Sequence, residues 1–227
     1  MYRLYYSPGA CSLAVHIALE EVGVAYELEL RSTRDSEGTS APDFLAVNPK
    51  GRVPALLGVP GRSGGAENLL TEAPAILIYL AETHSNANLL PAEFHVRARC
   101  IEWLNWLSGT VHSMSYGQLW RPQRFVSDKA LFASVQAKGR TNLIEQYAYI
   151  ESIMSDGRSW AVPNGYSVAD AFLLVFWIWG KRIGFDMHDA YPAWTRATVR
   201  TLNRPAVRRA LLQEGQEIEP VQSRAQV

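Results

Sequence analysis

The sequence predicts an α+β domain followed by an all-helical domain. Three observations carry this expectation. Apolar and polar residues alternate with the two-residue period of a half-buried strand in Tyr26-Glu-Leu-Glu-Leu-Arg31. Short strand signals separated by turn residues recur as far as Thr71, and from about Glu93 onward only long helical patterns remain. A chain of 227 residues is long enough for each part to bury its own core.

The elements follow in order. The aromatic run Tyr2 to Tyr6 reads as a strand, Ser7-Pro8-Gly9-Ala10 as a turn, and Cys11 to about Val22 as a helix closed by Gly23. With the strand over 26–31 this makes a βαβ unit. Residues 32–41 are rich in Ser, Thr, Asp and Gly and read as a loop, before a short helix over 42–47 and the turn Asn48-Pro49-Lys50-Gly51. Two short strands, 53–57 and 68–71, flank a Gly-rich hairpin loop at 58–67. A helix opens at Glu72 with Pro74 in its first turn, where a missing N–H costs nothing. The boundaries expected are 1–83 for the first domain, 84–92 for a linker and 93–227 for the helical domain. Helices are expected over 93–116, 128–155, 167–183, 192–202 and 205–213, and the polar, aperiodic end reads as frayed. Ser167 and Asp170 form a capping-box pattern ahead of Phe172-Leu-Leu-Val-Phe-Trp-Ile-Trp179, which is apolar on every side as a central helix is.

Composition excludes several classes. Lys+Arg and Asp+Glu are both 22, so nothing in the overall charge favours a nucleic acid or an anionic membrane surface. No apolar run reaches the roughly 18 residues of a membrane span. Met1 leads straight into a strand without a signal segment, which points to a cytoplasmic protein. The two cysteines, Cys11 and Cys100, are far apart and are expected to stay reduced. Cys100 falls in a helical pattern where a buried thiol packs as a small apolar residue. No metal-ligand cluster is apparent.

Three short segments carry possible chemistry. Cys11 falls where a strand turns into a helix, and the unpaired N–H groups of a helix start stabilise a thiolate. It reads either as a nucleophile or as a small residue filling a helix start. No second cysteine completes a Cys-x-x-Cys pair, so a partner thiol must come from elsewhere. Val53-Pro54 is either a plain strand start or a cis bond that exposes the Val53 backbone to an extended peptide. In Thr71-Glu72-Ala73-Pro74 a carboxylate coincides with free N–H groups, the pair that an α-amino acid headgroup needs; an acidic first turn that merely complements the helix dipole is the plainer reading.

Together Tyr6-Ser-Pro-Gly-Ala-Cys11-Ser-Leu13, Asn48-Pro-Lys-Gly-Arg-Val53-Pro-Ala-Leu56 and Leu70-Thr-Glu72-Ala-Pro-Ala-Ile76 resemble the bacterial beta class of glutathione transferases. The resemblance continues through Ile101-Glu-Trp-Leu-Asn105-Trp, His112 and Tyr166-Ser-Val-Ala-Asp170, and so spans nearly the whole chain. It implies a thioredoxin-like N-terminal domain, glutathione as co-substrate and a homodimer that detoxifies small hydrophobic electrophiles. Residue by residue, it implies that Val53 pairs with the cysteinyl backbone of glutathione beside a cis Pro54. Glu72 and the N–H of Ala73 hold the γ-glutamyl end, and Cys11 lies against the sulfur. His112 is implied to approach both cysteine and tripeptide, and its ordinary pKa suits proton handling near neutrality. Asn105 reaches glutathione across the dimer interface, and Arg34 stands in for a basic residue that meets the glycine carboxylate. Tyr6 and Ser12 are secondary polar neighbours of the sulfur, and Tyr116, Trp120 and Phe125 are aromatic candidates for the second-substrate site or the core. Ser113 replaces a frequent Lys. With a cysteine at the site, thiol–disulfide exchange accompanies conjugation. A glutathione-dependent isomerase, dehalogenase or disulfide reductase is the alternative enzyme, and a non-catalytic binding or regulatory protein the alternative of another class.

Overall fold

The computed structural model describes residues 1–33, 37–60 and 68–216. Arg34, most of the 58–67 loop and the chain after 216 lie outside the described residues.

Strand β1 (Tyr2–Tyr6) runs into helix α1 (Ser12–Val22), which ends at Gly23 in the left-handed conformation, its N–H bonded to the Leu19 carbonyl at 3.1 Å. Strand β2 (Tyr26–Leu30) then pairs in parallel with β1, completing the βαβ unit. Two short helices, α2 (Glu37–Ser40) and α3 (Pro42–Val47), lead to β3 (Ala55–Leu57) and β4 (Leu69–Thr71). Both add antiparallel, giving the sheet order β2-β1-β3-β4. The segment expected as loop over 32–41 thus contains the single turn α2, and the strand expected from Val53 begins at Ala55 because Val53 and Pro54 precede the ladder. Helix α4 (Ala73–Thr83) follows, its apolar side at Ile76, Leu77 and Leu80 fully buried beside α1. This is a thioredoxin-like arrangement of a mixed four-stranded sheet and helices.

The rest is helical: α5 (Phe94–Trp106), α6 (Gly117–Trp120), α7 (Phe132–Met154), α8 (Val168–Arg182), α9 (Pro192–Leu202) and α10 (Pro205–Gln213). The single helix expected over 93–116 changes its hydrogen bonding midway. Residues Leu107–Tyr116, between α5 and α6, form wider π turns. The Ser113 hydroxyl donates to the Ser108 carbonyl at 2.8 Å and that of Ser115 to Thr110 at 3.2 Å, each reaching five residues back. Such π segments recur where a helix must re-aim side chains at a site. Pro122, which lacks an N–H to continue the helix, follows shortly after α6.

Helix α8 is the pillar of the molecule, buried from Val168 to Gly180, which is what a sequence apolar on all sides requires. Asp170 anchors its start. The carboxylate accepts N–H bonds from Ser167 at 2.9 Å and Ala161 at 2.7 Å and the Ser167 hydroxyl at 3.1 Å. Burial pushes its carboxyl up to about 6 against the pull of those donors. One large apolar cluster runs from Leu4 and α1 through α4 and α5 into α8 and α9, so the sheet domain and the helices share a core. Cys100 is fully buried in it, its thiol pushed up to about 11 by that burial, as an inert packing residue should be.

Candidate active site

The site begins at the turn between β1 and α1. Ala10 N–H bonds back to the Ser7 carbonyl at 3.0 Å, and Gly9 takes a left-handed φ of 63° that favours glycine. The Ser12 hydroxyl clamps this turn, accepting from Ser7 N–H at 3.1 Å and donating to Ser7 O at 3.2 Å. The helical domain grips both backbone groups of Gly9. Its N–H donates to the Glu214 carboxylate at 2.7 Å, while its carbonyl accepts from the Trp179 indole at 2.8 Å and from Arg182 at 2.9 Å. Glu214 is buried and also meets the fully buried His16 Nδ1 at 2.9 Å.

Cys11, at the N-cap of α1, is only 7 % exposed, and its thiol donates to the Val53 carbonyl at 3.4 Å. Here the structure corrects the expected electrostatics. Burial pushes the thiol up to about 12, outweighing the N–H groups of Cys11 and Ser12 that favour the thiolate. The helix start acts in the expected direction but is the smaller effect, so the unliganded cysteine rests as a thiol. Val53–Pro54 is a cis bond.

Two hollows meet at Cys11, sharing Arg52, Val53, His112 and Ser113 in their walls. The smaller, about 70 Å³, runs past Asn48 and Lys50 to Thr71, Glu72 and Ala73 at the start of α4. Glu72 has a left-handed φ of 71°, unusual for a residue with a side chain, and its carboxylate pairs with Lys50 Nζ at 2.7 Å. Lys50 Nζ also donates to the Thr71 hydroxyl at 2.9 Å. The larger hollow, a cleft of about 240 Å³, opens between the Ser7–Ala10 turn and the helices, where Tyr116, Trp120 and Trp179 form an aromatic wall. Trp120 and Trp179 meet edge-on with ring centroids 4.9 Å apart.

His112 projects from the π segment into both hollows, edge-on to Trp179 at 5.0 Å. Its expected titration near neutrality is overturned: burial, followed by the charges of Arg124 and Arg52, pushes its pKa down to about 4 from the ordinary 6.5. The unfolded chain takes up this proton at the ordinary value. The resulting stability is therefore complete above pH 6.5 and is lost as the pH falls from there towards 4. The His112 imidazole should titrate by NMR with a midpoint near 4, and His112→Gln should show a shallower loss of stability over that window; a midpoint above 6 would refute the assignment.

Other expectations shift position. Tyr6 turns away from the cleft towards His16, with ring centroids 6.1 Å apart, and burial, then Glu214, raises its phenol pKa. Ser12 is fully buried and occupied by the Ser7 turn, so it serves the backbone rather than a sulfur. Asn105 is exposed on α5, donating to the Ile101 carbonyl at 3.1 Å, and lies outside both hollows. Phe125 lies outside the lining of the cleft, whereas Tyr116 and Trp120 belong to it. Arg34 lies outside the described residues.

The structure adds Lys50, Arg52, Arg121, Arg124, Arg182 and Trp179 to the walls. Lys50 and Arg52 are legible inside the turn ahead of Val53. Arg121 and Arg124 flank a proline after a helix, a local cluster of positive charge without a local acid. Trp179 gave no signal, being one apolar residue among many in α8. Among the described residues no group of three or more His, Cys, Asp or Glu side chains is placed to hold a metal, and no helix is long and apolar enough to cross a membrane.

A family profile described as "Glutathione S-transferase, N-terminal domain" matches residues 1–82. Glutathione S-transferase GstA of Escherichia coli O157:H7 is 32% identical over 216 residues, covering 94% of this chain and 98% of that protein. Disulfide-bond oxidoreductase YfcG of Escherichia coli K12 is 27% identical over 217 residues, covering 93% and 95%. The crystal structure of a Sulfitobacter glutathione transferase homologue with bound glutathione superposes with a TM-score of 0.84 at 29% identity, covering 96% of this chain and 99% of that one.

Proposed function

Because the chain belongs to the glutathione S-transferase family, we propose that it binds glutathione along the smaller hollow and presents the tripeptide sulfur to a second substrate in the larger cleft. The observation that carries this reading is the position of Cys11 where the two hollows meet, with Glu72 at the far end of one and an aromatic wall in the other. Residues 1–83 then serve as the glutathione domain, joined through 84–92 to the helical domain.

In this reading the γ-glutamyl ammonium replaces Lys50 on Glu72, and its carboxylate takes the N–H groups that open α4 at Ala73. The Val53 backbone beside Pro54 pairs with the cysteinyl residue. For conjugation, the glutathione thiolate forms a carbon–sulfur bond and the leaving group departs with its electron pair. For exchange, the thiolate attacks a disulfide sulfur and the other sulfur leaves as thiolate. A Cys11–glutathione disulfide is resolved by a second glutathione, which releases Cys11 and oxidised glutathione. The name of the relative YfcG and the thiol at this position both favour exchange alongside conjugation. His112 acts as a neutral hydrogen-bonding group near the sulfur, since its imidazole is uncharged at neutral pH. Family membership is the support for a cytoplasmic homodimer in detoxification, with Asn105 facing the partner; sedimentation velocity tests the dimer.

Glutathione titration by calorimetry, followed by turnover of chlorodinitrobenzene, tests the reading. Glu72→Gln should weaken glutathione roughly tenfold, the scale of one charge-assisted hydrogen bond. Binding without turnover of any electrophile or disulfide would favour a binding protein on the same scaffold.

A further inference from the structure

Resting on the reading above, we propose that Arg124, with Arg121, forms an oxyanion subsite for the second substrate, so that the preferred electrophile carries a carboxylate or sulfonate on a flat apolar body. The cleft wall contains Arg52, Arg121, Arg124 and Arg182, and among the described residues no carboxylate side chain lines it. These four arginines are not equivalent. Arg182 is occupied by the Gly9 carbonyl and by Gln216. Arg121 donates one N–H to Thr33 O at 2.6 Å and one to Trp120 O at 3.0 Å, which fixes its plane and leaves further donors.

The Arg124 guanidinium has no hydrogen bond or ion pair among the described residues, the residue being held only through its backbone N–H, which donates to the Arg121 carbonyl at 2.9 Å. Its charged form is disfavoured first by partial burial and then by Arg52 and Arg121. Arg124 is exposed to solvent at the mouth of the cleft and Arg121 is half-buried in its wall, so two guanidinium groups face the hollow with no acid beside them among the described residues, an arrangement that a carboxylate or sulfonate complements.

Glutathione itself carries a carboxylate at its glycine end, so the two sources must be separated. Arg52 alone among these arginines lines both hollows and adjoins Val53, which suits the tripeptide. Arg121 and Arg124 line only the larger cleft. Next to them the exposed part of Trp120 and the edge of Trp179 offer an apolar face for a ring.

Tryptophan fluorescence, with saturating S-methylglutathione filling the tripeptide site, tests the subsite. Dinitrobenzoate should quench with an affinity about tenfold tighter than the uncharged dinitrobenzamide. Arg124→Leu should erase that preference and Arg124→Lys retain part of it. In turnover, chlorodinitrobenzoate and chlorodinitrobenzene undergo the same step: carbon–sulfur bond formation, loss of chloride with the bonding pair and release of the thiol proton to solvent. Arg124→Leu should raise KM for the benzoate alone. Equal affinity for the two probes, or a preference that survives Arg124→Leu, would overturn the proposal. So would a higher glutathione KM with the neutral substrate, which would assign Arg124 to the tripeptide. If S-methylglutathione fails to bind, the glutathione reading falls, while the benzoate preference, titrated alone, still decides the subsite.

Discussion

Cys11→Ala is expected to abolish turnover of glutathione mixed disulfides, a loss on the order of a hundredfold or more, while glutathione affinity stays within about threefold. The asymmetry follows from the geometry. The Cys11 thiol donates one hydrogen bond, to the Val53 carbonyl, whereas the groups assigned to tripeptide binding are backbone and Glu72. Removing the sulfur takes away the covalent step and leaves the recess in place. Because burial pushes this thiol up to about 12, the free enzyme should also react slowly with iodoacetamide at neutral pH. Rapid alkylation of Cys11 would show that the helix start outweighs burial. Loss of all glutathione binding in Cys11→Ala would sink the role assigned to it.

Glu214→Ala is expected to destabilise the protein by about 3 kcal/mol, because it strips the acceptor from two buried donors, Gly9 N–H and His16. For a chain of this length that corresponds to a fall in Tm of about 10 °C. Glu214→Gln retains one acceptor oxygen and should lose less. The effect should also reach the site, since Glu214 fixes the turn that ends at Cys11. An unchanged Tm in Glu214→Ala would mean that Trp179, Arg182 and Ser12 hold the turn without Glu214.

The fold was legible where local pattern and tertiary role agree. Tyr26 and Leu28 alternate with polar residues because they pack against the core from β2, although Leu30 at the strand end is 57 % exposed, and Ser167 and Asp170 cap α8 because a buried helix start must satisfy its own N–H groups. The change to π turns at Leu107 was not legible, since wider hydrogen bonding leaves the apolar spacing nearly intact. At the site, Cys11, Val53 and Glu72 were legible as positions. The charge state of Cys11 was not, because desolvation depends on what the rest of the chain lays over the thiol. Tyr6 illustrates the same limit. Its place at the end of β1 is local information, but the choice of facing His16 rather than the cleft is made by the sheet register. Arg121 and Arg124 matter through proximity to Arg52, a relation between segments far apart in sequence.

The grip on Gly9 has a consequence for how the protein is made. The turn that positions Cys11 is translated well before the carboxylate that holds it, since Gly9 and Glu214 stand 205 positions apart in the chain. Translation must run past residue 214 before the surroundings of Cys11 can close. A nascent chain that stops short of residue 214 therefore holds every strand of the sheet but lacks the clamp on the turn that leads to Cys11.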